Sequence, residues 1–327
     1  VLLACTNISL CVDPTEITAL RNTASGIVGL PSGWDSDANP CNWYKIRCLD
    51  DHIAAIAWAS QGLSGYLLDN FYGLPYLRIV DLSLNAITGS IPQSIGYIRD
   101  LQVWSFAHNQ FSGSIPSSIG NYANLTEIHL DGNQLSGSIP ISFSNLKLLE
   151  ALGVAQNRLT GSIPDIFAQM TTLTELSLSD NQLSGTLPAS LLASAALTVL
   201  NLDGNQMSGT LPTSISGMTS IRELVLANNT FSGTIPSAIG ALRSLHTLNL
   251  QGNTFTGTVP DVFSGLTDLA YVALDHNSLT GVVPASFGNL QLVGMMIGWT
   301  QLDLCNPSMA ATAKFGSLPV CNIHGLS

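Results

Sequence analysis

Glu127, His129 and Asp131 alternate along one short stretch of chain. An extended backbone there puts a carboxylate, an imidazole and a second carboxylate on one face, roughly 7 Å apart at each step. Such groups could exchange protons or hold a metal ion. A solvated strand face, however, supplies neither the desolvation nor the pocket that tunes them for catalysis. The chain has no glycine-rich phosphate loop, nucleophile elbow or zinc-ligand spacing. The expectation is a protein that is not an enzyme and carries no cofactor and no metal.

A second set of side chains is uncharged. Hydroxyl residues flank a glycine at a fixed interval: Thr88 and Ser90, Ser112 and Ser114, Ser136 and Ser138, Thr160 and Ser162, Ser184 and Thr186. The series continues through Ser208 and Thr210, Ser232 and Thr234, and Thr256 and Thr258. A flat two-column array of this kind could bind ice, carry O-linked sugars or pack against an identical neighbour. That Ser and Thr simply suit a strand beside glycine is the plainer reading.

Both sets are placed by a repeat. Asparagine recurs at Asn85, Asn109, Asn133, Asn157, Asn181, Asn205, Asn229, Asn253 and Asn277, always 24 residues apart. Glycine keeps the same step from Gly65 to Gly281, and proline from Pro92 to Pro284. Leu77, Val80, Leu82 and Ile87 mark inward columns, the first three from a short strand. A single unit cannot bury its own apolar face, so stability must come from stacking. The asparagine amide is placed to bond the backbone of adjoining turns, and the glycine allows a backbone conformation that other residues resist. A degenerate opening unit carries Ile53, Ile56, Trp58 and Leu63, with Gln61 in the asparagine column. A closing unit is read with Val293 and Met296 inward and Gln301 in that column. About eleven coils result, and Trp58 and Trp104 fall in inward columns.

The ends differ from the middle. Asp13-Pro14-Thr15-Glu16 has the pattern of a helix start, with Asp as the cap, Pro first in the helix and Glu three residues after the cap. Cys5, Cys11, Cys41 and Cys48 precede the repeats, Cys305 and Cys321 follow them, and none lies between. This arrangement reads as disulfides stapling two caps in an oxidising compartment. Metal binding and, for Cys5, acylation are weaker rivals. Asn7, Asn124 and Asn228 begin N-glycosylation sequons. The leading Val1-Leu2-Leu3-Ala4 reads as the tail of a removed signal peptide. No stretch has the uninterrupted apolar length of a membrane span. The expected organisation is a cap at 1–52 with one helix, repeats at 53–300 and a second cap at 301–327, together one structural domain.

The unit Leu-x-x-Leu-x-Leu-x-x-Asn-x-Leu-x-Gly-x-Ile-Pro resembles the plant-type extracellular leucine-rich repeat. The Pro40-Cys41-x-Trp43 segment ending at Cys48 resembles the N-terminal cap of plant receptor kinases, receptor-like proteins and polygalacturonase-inhibiting proteins. The likeness runs over roughly residues 12–325. It implies an α/β repeat solenoid, a right-handed superhelix with a concave parallel main sheet and a second short sheet at the Gly-x-Ile-Pro segment. By the same analogy Cys41 pairs with Cys48 and Cys305 with Cys321, leaving Cys5 with Cys11. Polygalacturonase inhibitors carry two adjacent cysteines in the cap where this chain has only Cys41, which weakens that narrower likeness.

In this family ligands usually meet the concave sheet. Its outward columns hold Asp81, Glu127, His129, Asp131, Glu150, Glu175, Asp180, Asp203, Glu223, Asp275 and His276, against only Arg78 and Arg222. The whole chain carries a net charge of −11, with ten Lys and Arg in 327 residues. Nucleic acid and anionic membranes are therefore disfavoured, and a basic protein or peptide is favoured. Tyr271 is the aromatic anchor on that face, with Trp299 near the end. The expected function is extracellular recognition of a protein, peptide or cell-wall-derived ligand. The alternatives are a self-assembling surface protein and ice binding through the hydroxyl columns.

Overall fold

The structure, a computed structural model, describes residues 12–298 and 300–303. Asn7, Trp299 and four of the cysteines lie outside these residues, and with them the expected Cys5–Cys11 and Cys305–Cys321 bonds. The chain forms two compact units, Val1–Leu183 and Ser184–Ser327.

Unit one begins with helix α1, Pro14–Ala24. Asp13 caps it by accepting the Thr15 N–H at 2.8 Å, with Pro14 in the first turn. Glu16 does not close a capping box. Its side chain is buried, accepts the Ile53 N–H at 2.8 Å and meets His52 Nδ1 at 2.6 Å, so it bolts the helix to the first coil. The cap is further held by the Cys41–Cys48 disulfide and by Trp34, whose ring packs edge-on against both Trp43 and Trp58 at 5.4 Å.

Six strands then align side by side: His52–Ala57, Ile79–Asp81, Val103–Ser105, Glu127–His129, Ala151–Gly153 and Glu175–Ser177. They are parallel and in step, with Ile79 beside Val103, Glu127 beside Ala151, and Ala151 beside Glu175. A second parallel set runs through Ser64–Tyr66, Ala86–Ser90, Gln110–Ser114, Gln134–Gly137 and Arg158–Ser162. The cap adds one antiparallel strand to each set, Ile46–Leu49 to the first and Ile27–Val28 to the second.

The inward columns are buried as the periodicity requires: Leu77, Val80, Leu82, Ile87, Trp58 and Trp104 are all at most 1% exposed. The asparagines form rungs between coils. Asn109 Oδ1 accepts the Ile87 N–H at 3.0 Å, while Nδ2 donates to Leu82 O at 2.9 Å and Phe106 O at 3.1 Å. In the opening coil Gln61 takes over this position and is tied to the cap by the Tyr44 hydroxyl. The repeating glycine has φ of +84° at Gly89 and +77° at Gly113, a region costly for any other residue.

Unit two repeats the pattern with strands Val199–Asn201, Glu223–Val225, Thr247–Asn249, Tyr271–Ala273 and Gly294–Met296. Its second set comprises Gln206–Thr210, Thr230–Gly233, Thr254–Thr258, Ser278–Val282 and Gln301–Asp303. The closing coil corrects the fixed-step reading. Gly294, not Met295, pairs with Tyr271, and Gln301 begins the last strand instead of standing in the asparagine column. Val293 is 71% and Met296 55% exposed, whereas Ile297 is buried. One residue fewer separates Phe287 from Leu292 than separates Phe263 from Leu269, so every later column moves by one. Thr300 therefore takes the asparagine place. Its hydroxyl donates to Ile297 O at 2.8 Å, as the Asn277 amide donates to Leu274 O at 3.1 Å.

Candidate recognition faces

In unit one the outward positions of the main strands divide by what their side chains touch. Glu127 and Glu175 stand on either side of Ala151, in register with it. Glu175 and Glu150 are exposed, and Glu127 is half-exposed with Oε2 3.1 Å from His129 Nε2. Gly153 lies between His129 and Ser177, and Ala155 follows it. Ala151, Gly153 and Ala155 make a floor of small residues one strand wide, with Glu127 and Glu175 facing each other across Ala151 and Ser177 beside Gly153. Asp131 leans across this floor and accepts the Ala155 N–H at 2.8 Å. A side chain at Gly153 would collide with the Asp131 carboxylate, so the glycine is what lets the aspartate cross. Burial raises the Asp131 carboxyl above the usual aspartate range, against the opposing pull of the Ala155 N–H, its own N–H, His129 and His108. Asp81 is spent locally on the Ser83 N–H and hydroxyl.

In unit two Glu223 is exposed between Val199 and Thr247. Asp203 accepts from the Asn228 amide at 2.8 Å, so this sequon residue is tethered although exposed. Tyr271 is 45% exposed, its ring 5.6 Å from His246. Asp275 departs from the expected outward, solvated carboxylate. It is only 6% exposed, and Oδ2 accepts from Gln251 at 2.7 Å and contacts His276 Nδ1 at 2.7 Å. The column holding Asp131, Asp203 and Asp275 thus links coils, and the column holding Glu127, Glu175 and Glu223 is the one presented. Among the described residues no cluster of three His, Cys, Asp or Glu is arranged for a metal, and no helix is long and apolar enough to cross a membrane. Asn124 is exposed at its sequon.

The hydroxyl columns also divide. Thr88, Ser112, Ser136, Thr160, Ser208, Ser232 and Thr256 donate to the glycine carbonyl one coil back, at 2.7 Å for Thr88 and 3.4 Å for Ser112. Ser90, Ser114, Ser138 and Ser162 in unit one, and Thr186, Thr210, Thr234 and Thr258 in unit two, are exposed. Their hydroxyls have no protein partner among the described residues. In unit two the threonine methyls sit over the glycine of the next coil, as Thr210 does over Gly233.

Besides Tyr271 on the concave columns, three exposed aromatic side chains gather away from them. Tyr72, Tyr76 and Tyr97 are 62%, 42% and 65% exposed at the cap end of unit one. Their signal in the sequence is a break in column: 24 residues on, they are replaced by Gly96, Asp100 and Asn121.

Stacked coils with asparagine rungs, an open carboxylate-bearing strand face and a disulfide-bonded cap define a leucine-rich-repeat solenoid. The chain belongs to the leucine-rich-repeat family: its repeat profile matches residues 123–183, 147–207, 171–231, 195–255 and 243–297, and its N-terminal domain profile residues 13–49. Over 89 residues the chain is 32% identical to the Arabidopsis thaliana protein described as probable inactive receptor kinase RLK902, covering 27% of this chain and 13% of that one. The ectodomain of the Arabidopsis thaliana membrane receptor kinase GASSHO1/SCHENGEN3, solved with Casparian strip integrity factor 2, matches with a TM-score of 0.83. Its identity is 30%, over 88% of this chain and 35% of the receptor's. The plant peptide hormone receptor RGFR1, solved with RGF2, matches with a TM-score of 0.70 and 30% identity, over 76% of this chain and 43% of the other. The chain spans less than half the length of each of these relatives.

Proposed function

We propose that this chain is an extracellular, non-catalytic recognition protein that receives a basic side chain of a protein or peptide over Ala151, between Glu127 and Glu175 and beside Asp131. The observation that carries the reading is the row Glu127–Ala151–Glu175. Two carboxylates stand two strands apart, about 10 Å, with only a methyl group between them. An ammonium or guanidinium entering there meets charge on both sides and no steric obstacle. The Cys41–Cys48 bond fits an oxidising compartment. The fold relatives solved with a bound factor or peptide hormone make a peptide the natural first ligand to try.

On a peptide array scanned with single Arg or Lys residues, E127Q/E175Q should bind about tenfold more weakly than the unmodified protein. The loss should shrink at high salt. Unchanged binding would remove the glutamates from the site. Asp131 adds a pH signature. Because its carboxyl is raised, it gains its proton before ordinary carboxylates as pH falls. Affinity for a cation should therefore start to weaken above the usual aspartate range, and D131N should remove that early limb. For stability the sign is opposite. The folded chain binds this proton more readily than the unfolded chain, so this group's contribution grows as pH falls through the same window.

A second reading rests on the unspent outer hydroxyl column. A regular, exposed row with methyls seated on glycine could order a lattice of water, as ice binding requires. Purified protein should then show thermal hysteresis that T210K/T234K abolishes. Absence of hysteresis in the unmodified protein discards this reading.

A further inference from the structure

At the cap end of unit one lies a groove of about 570 Å³, lined by Tyr72, Pro75, Tyr76, Tyr97, Arg99 and Asp100. Its volume falls within the usual range of small-molecule sites. Three features set it apart from the repeat that builds it. First, the fold does not require its aromatic residues. The columns of Tyr72 and Tyr76 continue as Gly120 and Ser144, and as Asn124 and Leu148, while the column of Tyr97 continues as Asn121 and Asn145. The three rings are exposed, so they contribute little to the core.

Second, the polar capacity of the groove is unspent. The Arg99 guanidinium, the Asp100 carboxylate and the three phenols have no hydrogen-bond or ion-pair partner among the described residues. The backbone beneath them is fixed, with the Arg99 N–H donating to Pro75 O at 3.1 Å. Third, one ring is braced from behind. His52 stacks on Tyr76 with centroids 3.6 Å apart and planes 25° apart, and His52 is itself held by buried Glu16. A second groove of about 340 Å³, also lined by Tyr72, runs along α1, past Thr15, Thr18 and Asn22. Tyr72 is thus shared by the two grooves.

We propose that this groove binds a saccharide chain. A sugar ring presents an apolar C–H face and a rim of adjacent hydroxyls. Exposed aromatic faces match the first, and planar guanidinium and carboxylate groups, each able to make paired hydrogen bonds, match the second. A proline-rich peptide would also use aromatic rings, and its carbonyls would accept from Arg99, but its prolines have no N–H to offer the Asp100 carboxylate. Two grooves that share Tyr72 suit an oligomer over a single sugar.

The test uses the complete chain and hexasaccharides of β-1,3-glucan, β-1,4-glucan, chitin and polygalacturonate, titrated by calorimetry. At least one should bind with a Kd below about 1 mM. Y72A/Y97A should weaken it about tenfold or more, as loss of stacking implies. R99Q should weaken it as well, and E127Q/E175Q should leave it unchanged, which separates this site from the concave one. Both tyrosines are exposed, so an unchanged Tm is expected and shows the variants fold; Y97F, which keeps the ring, should retain most of the affinity. No binding by any of the four sugars overturns the proposal. So does binding that survives Y72A/Y97A, or a groove that takes a proline-rich peptide and no sugar.

Discussion

Replacing Asn133 with alanine should destabilise unit one by about 3 kcal/mol. The Phe111 N–H, which Asn133 Oδ1 accepts at 2.9 Å, is then left buried without an acceptor, at a cost of about 1–3 kcal/mol. The amide's bonds to Phe106 O at 3.0 Å, Leu130 O at 3.1 Å and Asp131 O at 3.2 Å are lost as well. These carbonyls keep other donors, which limits the damage. Leu130 O still receives Asn157 Nδ2 at 3.0 Å. That sharing yields a sharper expectation. The double variant N133A/N157A strips Leu130 O of both amides and should cost about 1 kcal/mol more than the two single changes summed. Urea unfolding followed by circular dichroism measures all three. A single-variant cost below about 1 kcal/mol, or strict additivity, would show that the rungs are decoration on a stack held by its apolar columns alone.

Glu16→Ala should cost a similar amount, about 2–4 kcal/mol, for a different reason. The buried carboxylate is the single side chain that joins α1 to both His52 and the Ile53 N–H. Its removal orphans a buried amide and frees the imidazole that backs Tyr76. Glu16→Gln keeps an acceptor for Ile53 and should lose less than half as much. Tryptophan fluorescence reports on the cap through Trp34, Trp43 and Trp58, and hydrogen exchange at Ile53 reports on the bond itself. If exchange at Ile53 is unchanged in E16A, the bolt is not what secures the cap.

The repeat was legible because its determinants are local and additive. Each inward residue recurs at a constant step, and each rung asparagine needs only backbone groups that every coil supplies. Outward chemistry is less readable, since the fate of a side chain there depends on the neighbouring coil. Asp131 crosses its floor because residue 153 is glycine, and Asp275 is buried because Gln251 and His276 reach it. Nothing at positions 131 or 275 alone distinguishes them from presented carboxylates. The closing coil departs from the fixed step for a related reason. A single-residue shortening before Leu292 keeps the spacing among Leu292, Met295 and Ile297 but shifts their phase against the preceding coils. Glu16 fits a capping-box pattern by spacing, but its partner lies 37 residues away. The tyrosine groove is less legible because its three rings stand off the concave columns, in positions that neighbouring coils fill with Gly, Asn and Asp.

The two reversed strands of the cap, Ile27–Val28 and Ile46–Leu49, have a consequence for growth. A stack of parallel strands is a template: its last member offers unpaired N–H and C=O groups in the register the next coil would need. At the N-terminal edge of unit one this template is used up by strands running the wrong way for a further coil. Arg47 within, and Lys45 just before, the strand Ile46–Leu49 put positive charge there. Another copy of the chain that approached this edge would find neither the polarity nor the periodicity to continue the sheet. Addition of a further parallel, in-register coil is therefore disfavoured on this side of unit one.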